Sequence, residues 1–395
     1  MRTPAERLAR LLDRHPELRE AAPDEPFGAI IRADEMLVPA AQASRVEESI
    51  RTWTDRRADL EHLGLSRFRL RRDADVQDLI ATSCSPADGD ALASPVHMFR
   101  GEPNYQGGPS SPPSPTAPSA LPAGGTHGGP SVRVGVLDTG IAAHPWFPQN
   151  TWDALDGDVS DRLDTNNDYE LDAQAGHGTF IAGIIRQHAP AARLAVGRVL
   201  ASDGVCDEVE LLEALLQLEK HSKAKGRRID VLNLSLGAYT WNDRPPVEIQ
   251  QAIARLGTDT VVVAAAGNNS SDRRFWPAAF DSVLAVGALS ADGTRQADFS
   301  NFGPWVDAWA PGEQVASSFV TFDGPEDEAP GADIDADCFK GFASWSGTSF
   351  AAPRVAAALA ARAAEDKTTP RRAVEAVLAD FQHPDPRDAD PPRPT

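Results

Sequence analysis

The chain has 395 residues, 41% of them hydrophobic and 24% charged, and carries a formal net charge of −20 at neutral pH. That length suits one large domain with a smaller one attached, and no apolar run is long enough to predict a membrane-spanning helix. The acidity excludes the basic surface that phosphate backbones require, so neither nucleic acid nor a membrane is an expected partner.

Residues 4–15 read as a helix. Charges are spread through the N-terminal stretch without the apolar centre and small-residue cleavage site of a secretory leader, which predicts a cytoplasmic protein. Export by a route without such a leader stays open. FGAIIRADEMLVP then reads as a strand, SRVEESIRTWTDRRADLEHL (44–63) as an amphipathic helix, SRFRLRR (66–72) as a second strand and ADVQDLIATS (74–83) as a short helix. Residues 1–90 are therefore expected to form a small α+β unit.

Half of residues 101–130 are proline or glycine, and serine fills much of the rest. Such a stretch buries no core, so 91–130 reads as a linker. Within it, VHMFRGEPNYQGGP (96–109) carries aromatic and apolar residues suited to docking on a neighbouring surface. From 131 the pattern changes. VRVGVLD (132–138), RLAVGRVL (193–200), IDVLNLSL (229–236), DTVVVAAA (259–266) and SVLAVGAL (282–289) read as buried strands, separated by the helical stretches GTFIAGIIRQH, DEVELLEALLQLEKHSKAK and PVEIQQAIARLG. Strands apolar throughout and separated by helices predict an α/β domain over 131–385, three layers around a mostly parallel sheet, with 386–395 as a tail. Ligands in such sheets sit beyond the carboxyl ends of the strands.

Three polar residues stand at such element ends. Asp138 closes VRVGVLD, His177 sits between two glycines where a helix begins, and Ser349 opens a helix after Gly347 and Thr348. A serine hydroxyl needs a neighbouring base before it attacks, and histidine titrates near neutrality. A carboxylate fixes the imidazole tautomer and stabilises the imidazolium, while a helix starting at the serine offers N–H groups to a developing oxyanion. Taken singly, a strand-end Asp, a glycine-flanked His and a helix-capping Ser are ordinary turn and cap residues.

Together with their flanks, VGVLDTGI, GHGTFIAGII and SGTSFAAP resemble the three catalytic signatures of the subtilisin-like serine proteases, in that family's order of Asp, His, Ser. VLNLSLG, VVVAAAGNN and ADFSNFGPWVDAWAPG extend the resemblance over roughly 131–382. It implies a serine endopeptidase working through an acyl-enzyme. Asp138 would orient His177, His177 would serve as base and then acid, Ser349 would attack, and Asn268 would donate to the oxyanion. It further implies that Ser235, Leu236 and Gly237 pair with an extended polypeptide substrate as an added strand, and that Ala265, Ala266 and Gly267 line one side of the main pocket. Phe180, Phe350 and Arg354 depart from the family pattern, where histidine, methionine and histidine are usual.

The resemblance requires no cofactor. Relatives often hold structural calcium, and the acidic stretch 153–172 has the carboxylates for it, but DTNND lacks the glycine and glutamate of a calcium loop and reads as a solvated loop. A second acidic run, 323–337, reads as a surface insertion before Ser349. Cys84, Cys206 and Cys338 are expected to be reduced thiols, with a Cys206–Cys338 bridge as the alternative in an exported protein. Residues 27–85 have the strand–helix–strand form of a family propeptide without a matching motif. They are either an inhibitory prodomain, removed by self-cleavage within 101–130, or a retained regulatory domain. A peptide-joining transpeptidase and a catalytically silent binding module are the rival readings of the whole chain.

Overall fold

The computed structural model of the protein describes residues 4–21, 28–84, 92–101, 112–121 and 132–382, apart from 166, 168, 225 and 325–337. At its centre lies a seven-stranded sheet in the order Ala308–Pro311, Val283–Leu289, Val261–Ala265, Val231–Leu234, Arg133–Asp138, Arg193–Arg198 and Trp152–Ala154. Every neighbouring pair in it is parallel. The valine- and alanine-rich strands have both faces buried, which is why they show no apolar–polar alternation.

Helices His177–His188, Thr348–Glu365 and Pro370–Asp380 pack one apolar cluster against one face. Helices Glu208–Lys223 and Val247–Ala254 pack another against the opposite face. The chain builds outward in one direction from Arg133–Asp138 through Arg193–Arg198, then returns to build from Val231–Leu234 in the other. The crevice at this reversal, beyond the strand ends, is where an α/β sheet receives a ligand. Asp138 and Ser235 stand on its two sides.

The N-terminal unit is an antiparallel sheet. Thr54–Leu60, Leu65–Leu70, Ile30–Pro39 and Ser94–Arg100 lie in that order, with Leu18–Glu20 also on Ile30–Pro39. Helices Ala43–Ile50 and Val76–Ser83 cover one face over Met36, Val38, Phe68 and Leu70. Leu37, Leu65, Val96 and Phe99 belong instead to the apolar cluster around Glu208–Lys223. The α/β domain also lends the sheet a strand of its own, Val205–Asp207, which pairs antiparallel with Ser94–Arg100.

Two expectations are corrected here. The helix expected over 44–63 ends at Ile50, and Thr54–Leu60 is a strand. That strand is the sheet's edge and is charged at Asp55, Arg56, Arg57 and Asp59, a common protection of an exposed edge, which mimics a polar helix face in sequence. Gly64, at φ 71°, supplies the left-handed residue that turns the chain into Leu65–Leu70. The linker expected over 91–130 contains the strand Ser94–Arg100 and the short strand Ser114–Pro115, which pairs with Cys338–Trp345. The cysteines are all free, Cys84 and Cys206 buried and Cys338 partly so, and no Cys206–Cys338 bridge forms. Of the second acidic run, 325–337 lie outside the described residues.

Candidate active site

The strand Arg133–Asp138 ends with its last side chain at the crevice. Asp138 Oδ1 lies 2.8 Å from His177 Nδ1, and neither side chain has any solvent exposure. The N–H of Thr139 donates to the same oxygen at 2.8 Å. With a carboxylate as its neighbour, Nδ1 carries the proton, which leaves Nε2 as the basic nitrogen. Nε2 has no hydrogen-bond partner among the described residues.

Ser349 occupies the first turn of Thr348–Glu365, an 18-residue helix that contains Pro353. Proline has no N–H to return to the carbonyl four residues earlier, so the Ser349 carbonyl is left without its helical partner. Ser235 supplies one: its hydroxyl donates to the Ser349 carbonyl at 2.8 Å, while the Ser349 hydroxyl donates to the Ser235 carbonyl at 3.3 Å. A sequence feature that should weaken the helix thus fastens its start to the end of the neighbouring strand.

Asn268 is held by Thr348. Its Oδ1 accepts from the Thr348 N–H at 2.8 Å and from the Thr348 hydroxyl at 2.9 Å. These donors fix the amide's orientation, because only the carbonyl end can accept. The Nδ2 end lies beside the Gly347 turn, 3.6 Å from where a Cβ on Gly347 would stand.

His177 sits on aromatic rings. Its centroid is 5.4 Å from Phe350 and 5.6 Å from Trp345, the latter edge-on at 88°. Phe180 continues the stack, 4.6 Å from Phe350. Two of the departures from the family pattern, Phe180 and Phe350, therefore occupy one continuous packing site. The third, Arg354, approaches His188 at 3.0 Å, and burial together with this arginine pushes His188 down to about 4.

The expected substrate strand is already engaged. Gly237 exchanges two backbone hydrogen bonds with Arg100, each 2.9 Å, and Gly101 donates to the Gly204 carbonyl at 2.9 Å. The end of the N-terminal sheet thus runs between Gly204 and Gly237, antiparallel to both flanks. Gly101 reaches His177: a Cβ there would stand 2.9 Å from Leu200 Cδ1 and 3.5 Å from His177 Nδ1. Ser235 and Leu236 are buried beside this strand, and Ala265 and Ala266 are buried at the end of Val261–Ala265. Asn301 ties Gly267 in place by donating to the Ala266 carbonyl at 2.8 Å. Sequence patterns passed over Gly101, Gly204, Thr348 and Asn301, whose roles appear only when distant segments meet.

Among the described residues no three acidic, histidine or cysteine groups converge as a metal cage. Two of the carboxylates in 153–172 illustrate protein partners in place of an ion. Asp153 lies between Arg133 and Arg193, and Asp172 accepts from Thr165 and Ser202 and pairs with Arg14.

The profile of the subtilase family matches residues 129–382. The chain belongs to the subtilase family. It is 32% identical over 265 residues to the thermophilic serine proteinase of Bacillus sp. strain AK1, covering 63% of this chain and 57% of that protein. The chain therefore spans little more than half the length of that relative. Among solved structures, the prenylagaramide maturation protease PagA is similar at 26% identity and a TM-score of 0.51, over 68% of this chain and 90% of that one. Fervidolysin from Fervidobacterium pennivorans shares the fold at 17% identity and a TM-score of 0.59, over 88% of this chain and 57% of that one.

Proposed function

We propose that this subtilase is a serine endopeptidase whose triad is Asp138, His177 and Ser349. The observation that carries the reading is the fully buried Asp138–His177 hydrogen bond at 2.8 Å, set where the Ser349 helix begins. In the proposed reaction His177 Nε2 takes the hydroxyl proton as Ser349 Oγ attacks the peptide carbonyl. The imidazolium that forms is stabilised by Asp138 and then gives its proton to the leaving amine. The oxyanion would lie at the start of the Ser349 helix, where backbone N–H groups and the Asn268 amide gather. Water then releases the acyl group by the same steps in reverse roles. No cofactor enters the scheme.

The N-terminal unit is assigned as an inhibitor of its own cleft. An extended polypeptide substrate would use the hydrogen bonds of Gly204 and Gly237, and residues 100 and 101 hold them now. Comparing the intact mass of purified wild type with that of Ser349→Ala tests both ideas. The wild type is expected to lose an N-terminal piece cut within 101–130 while the variant stays whole; an uncut wild type sinks removal by self-cleavage and leaves a retained domain. Labelling of wild-type Ser349 by a fluorophosphonate is expected, and its absence would overturn the triad. The likeness to a protease named for peptide maturation favours one further reading, that the acyl-enzyme passes its peptide to an amine rather than to water. Product masses from a peptide library separate the two, since joined ends retain no added water.

A further inference from the structure

Behind the Asp138–His177 pair stands a carboxylate that acyl transfer does not itself require. Asp161 lies on the segment between the strand ending in Asp138 and the helix beginning with His177. That segment runs beside the turn after Asp138: Ile141 and Ser160 form a parallel bridge, and the Asp161 N–H donates to the Ile141 carbonyl at 3.3 Å. The side chain reaches both catalytic turns. Its Oδ2 accepts from the Thr179 hydroxyl at 2.8 Å, and its Oδ1 accepts from the Gly176 N–H at 3.1 Å. The Thr139 hydroxyl accepts from the Gly178 N–H at 2.9 Å and faces the same carboxylate, where it favours the ionised form. Gly176 and Thr179, which flank the His177–Gly178 pair, and Thr139, which follows Asp138, thus gather around one group.

Serving three donors calls for an acceptor with no proton of its own, which among side chains means an ionised carboxylate. An amide of the same shape has one accepting end, so its NH2 would face either the Gly176 N–H or the Thr179 hydroxyl, whose oxygen already accepts from Ala142. Negative charge at this place also suits the start of the helix that carries His177.

We propose that Asp161 is a positioning residue, an ionised clasp that joins the turn bearing Asp138 to the turn bearing His177 and so holds the imidazole on its carboxylate. Burial pushes the Asp161 carboxyl up to about 6, with the nearby Asp138 charge adding to the rise and the three donors opposing it. The ionisable groups across from it are Asp138 and His177. On its own segment Asp158 and Arg162 pair with each other at 3.9 Å, both largely exposed. As pH falls through about 6, Asp161 gains a proton, loses an acceptor site and releases one of the two turns.

The inference rests on the triad reading, and one experiment separates their failures. In each protein as purified, with the state of its N-terminal unit matched by intact mass, the downfield proton of the Asp138–His177 hydrogen bond and the rate of Ser349 phosphonylation by a small fluorophosphonate are followed from acid to alkaline pH. In that labelling Ser349 Oγ bonds phosphorus, fluoride leaves and the hydroxyl proton passes to His177. Asp161→Asn is expected to react about tenfold more slowly at alkaline pH, as loss of a charge-assisted clasp implies, to exchange the downfield proton faster, and to show one ionisation fewer in its acid limb. Thr179→Val keeps the carboxylate but removes a donor, so its extra ionisation moves to higher pH. Thr179→Ser restores both rate and profile. Equal rates and equal acid limbs in all four proteins overturn the clasp. Should the impaired variants fail to fold, wild type alone decides: two inflections, one near 6 as burial of Asp161 implies, support it, and a single one overturns it. A wild type with neither labelling nor the downfield proton sinks the triad, and the clasp with it.

Discussion

At the scale of single residues, the site is a set of groups whose freedom has been removed. Thr348 spends both of its donors on Asn268 Oδ1, so the amide is fixed in place, and in its proposed oxyanion role a preset donor would cost no reorganisation in the transition state. Asn268→Ala is expected to lower kcat about 10²–10³-fold with little change in KM, because the lost contact is made only as the oxyanion forms. Steady-state kinetics on an extended peptide checks this, and a change confined to KM contradicts it. Asp153 illustrates a charge that serves stability instead. Its hydrogen bond to Arg193, with Arg133 adding, pulls its carboxyl down to about 2 from an ordinary 3.8. A depressed carboxyl stabilises the fold fully above its unfolded value and loses that contribution as pH falls toward its folded one. Asp153→Asn should therefore melt a few degrees lower at neutral pH, and the gap to wild type should close between pH 4 and 2. A gap that persists at pH 2 would refute the assignment.

Elements explain what the sequence could and could not announce. The strand end at Asp138 and the helix starts at His177 and Ser349 were legible because glycine or threonine flanks each of them. The buried strands were equally plain, their apolar runs being too long for exposed structure. Thr54–Leu60 was misread because an edge strand and a solvated helix face use the same charged residues. Ser94–Arg100 was hidden for a different reason. Its partners are Ile30–Pro39 on one side and Val205–Asp207 on the other, so nothing in the local stretch records the pairing. The Asp161 carboxylate was likewise lost among seven acidic neighbours in 153–172, since only folding brings Thr139, Gly176 and Thr179 to it.

At the scale of the molecule, two units share one sheet and one apolar cluster. Asp207 marks the junction. It caps the helix Glu208–Lys223 while accepting from Arg32 and Arg67 at 2.9 Å each. Phe99, fully buried in the cluster that includes Leu200, Val209 and Leu212, anchors the last strand beside the cleft. Phe99→Asp is expected to loosen that strand and raise the hydrolysis of an added peptide severalfold, since a buried unpaired charge is costly. Unchanged hydrolysis in a folded variant would mean that the strand does not limit access.

Gly101 beside His177 has a further consequence, kinetic in nature. A segment tethered to its own cleft is present there at an effective concentration of order millimolar. A free peptide of equal intrinsic affinity must reach that concentration merely to share the cleft. Occupancy by outside chains is then governed by how firmly Arg32, Arg67 and Phe99 hold the N-terminal unit down. Weakening those anchors, by cleavage of the chain or by a competing partner for that unit, would act as a gain control on turnover without altering a single atom of the chemistry.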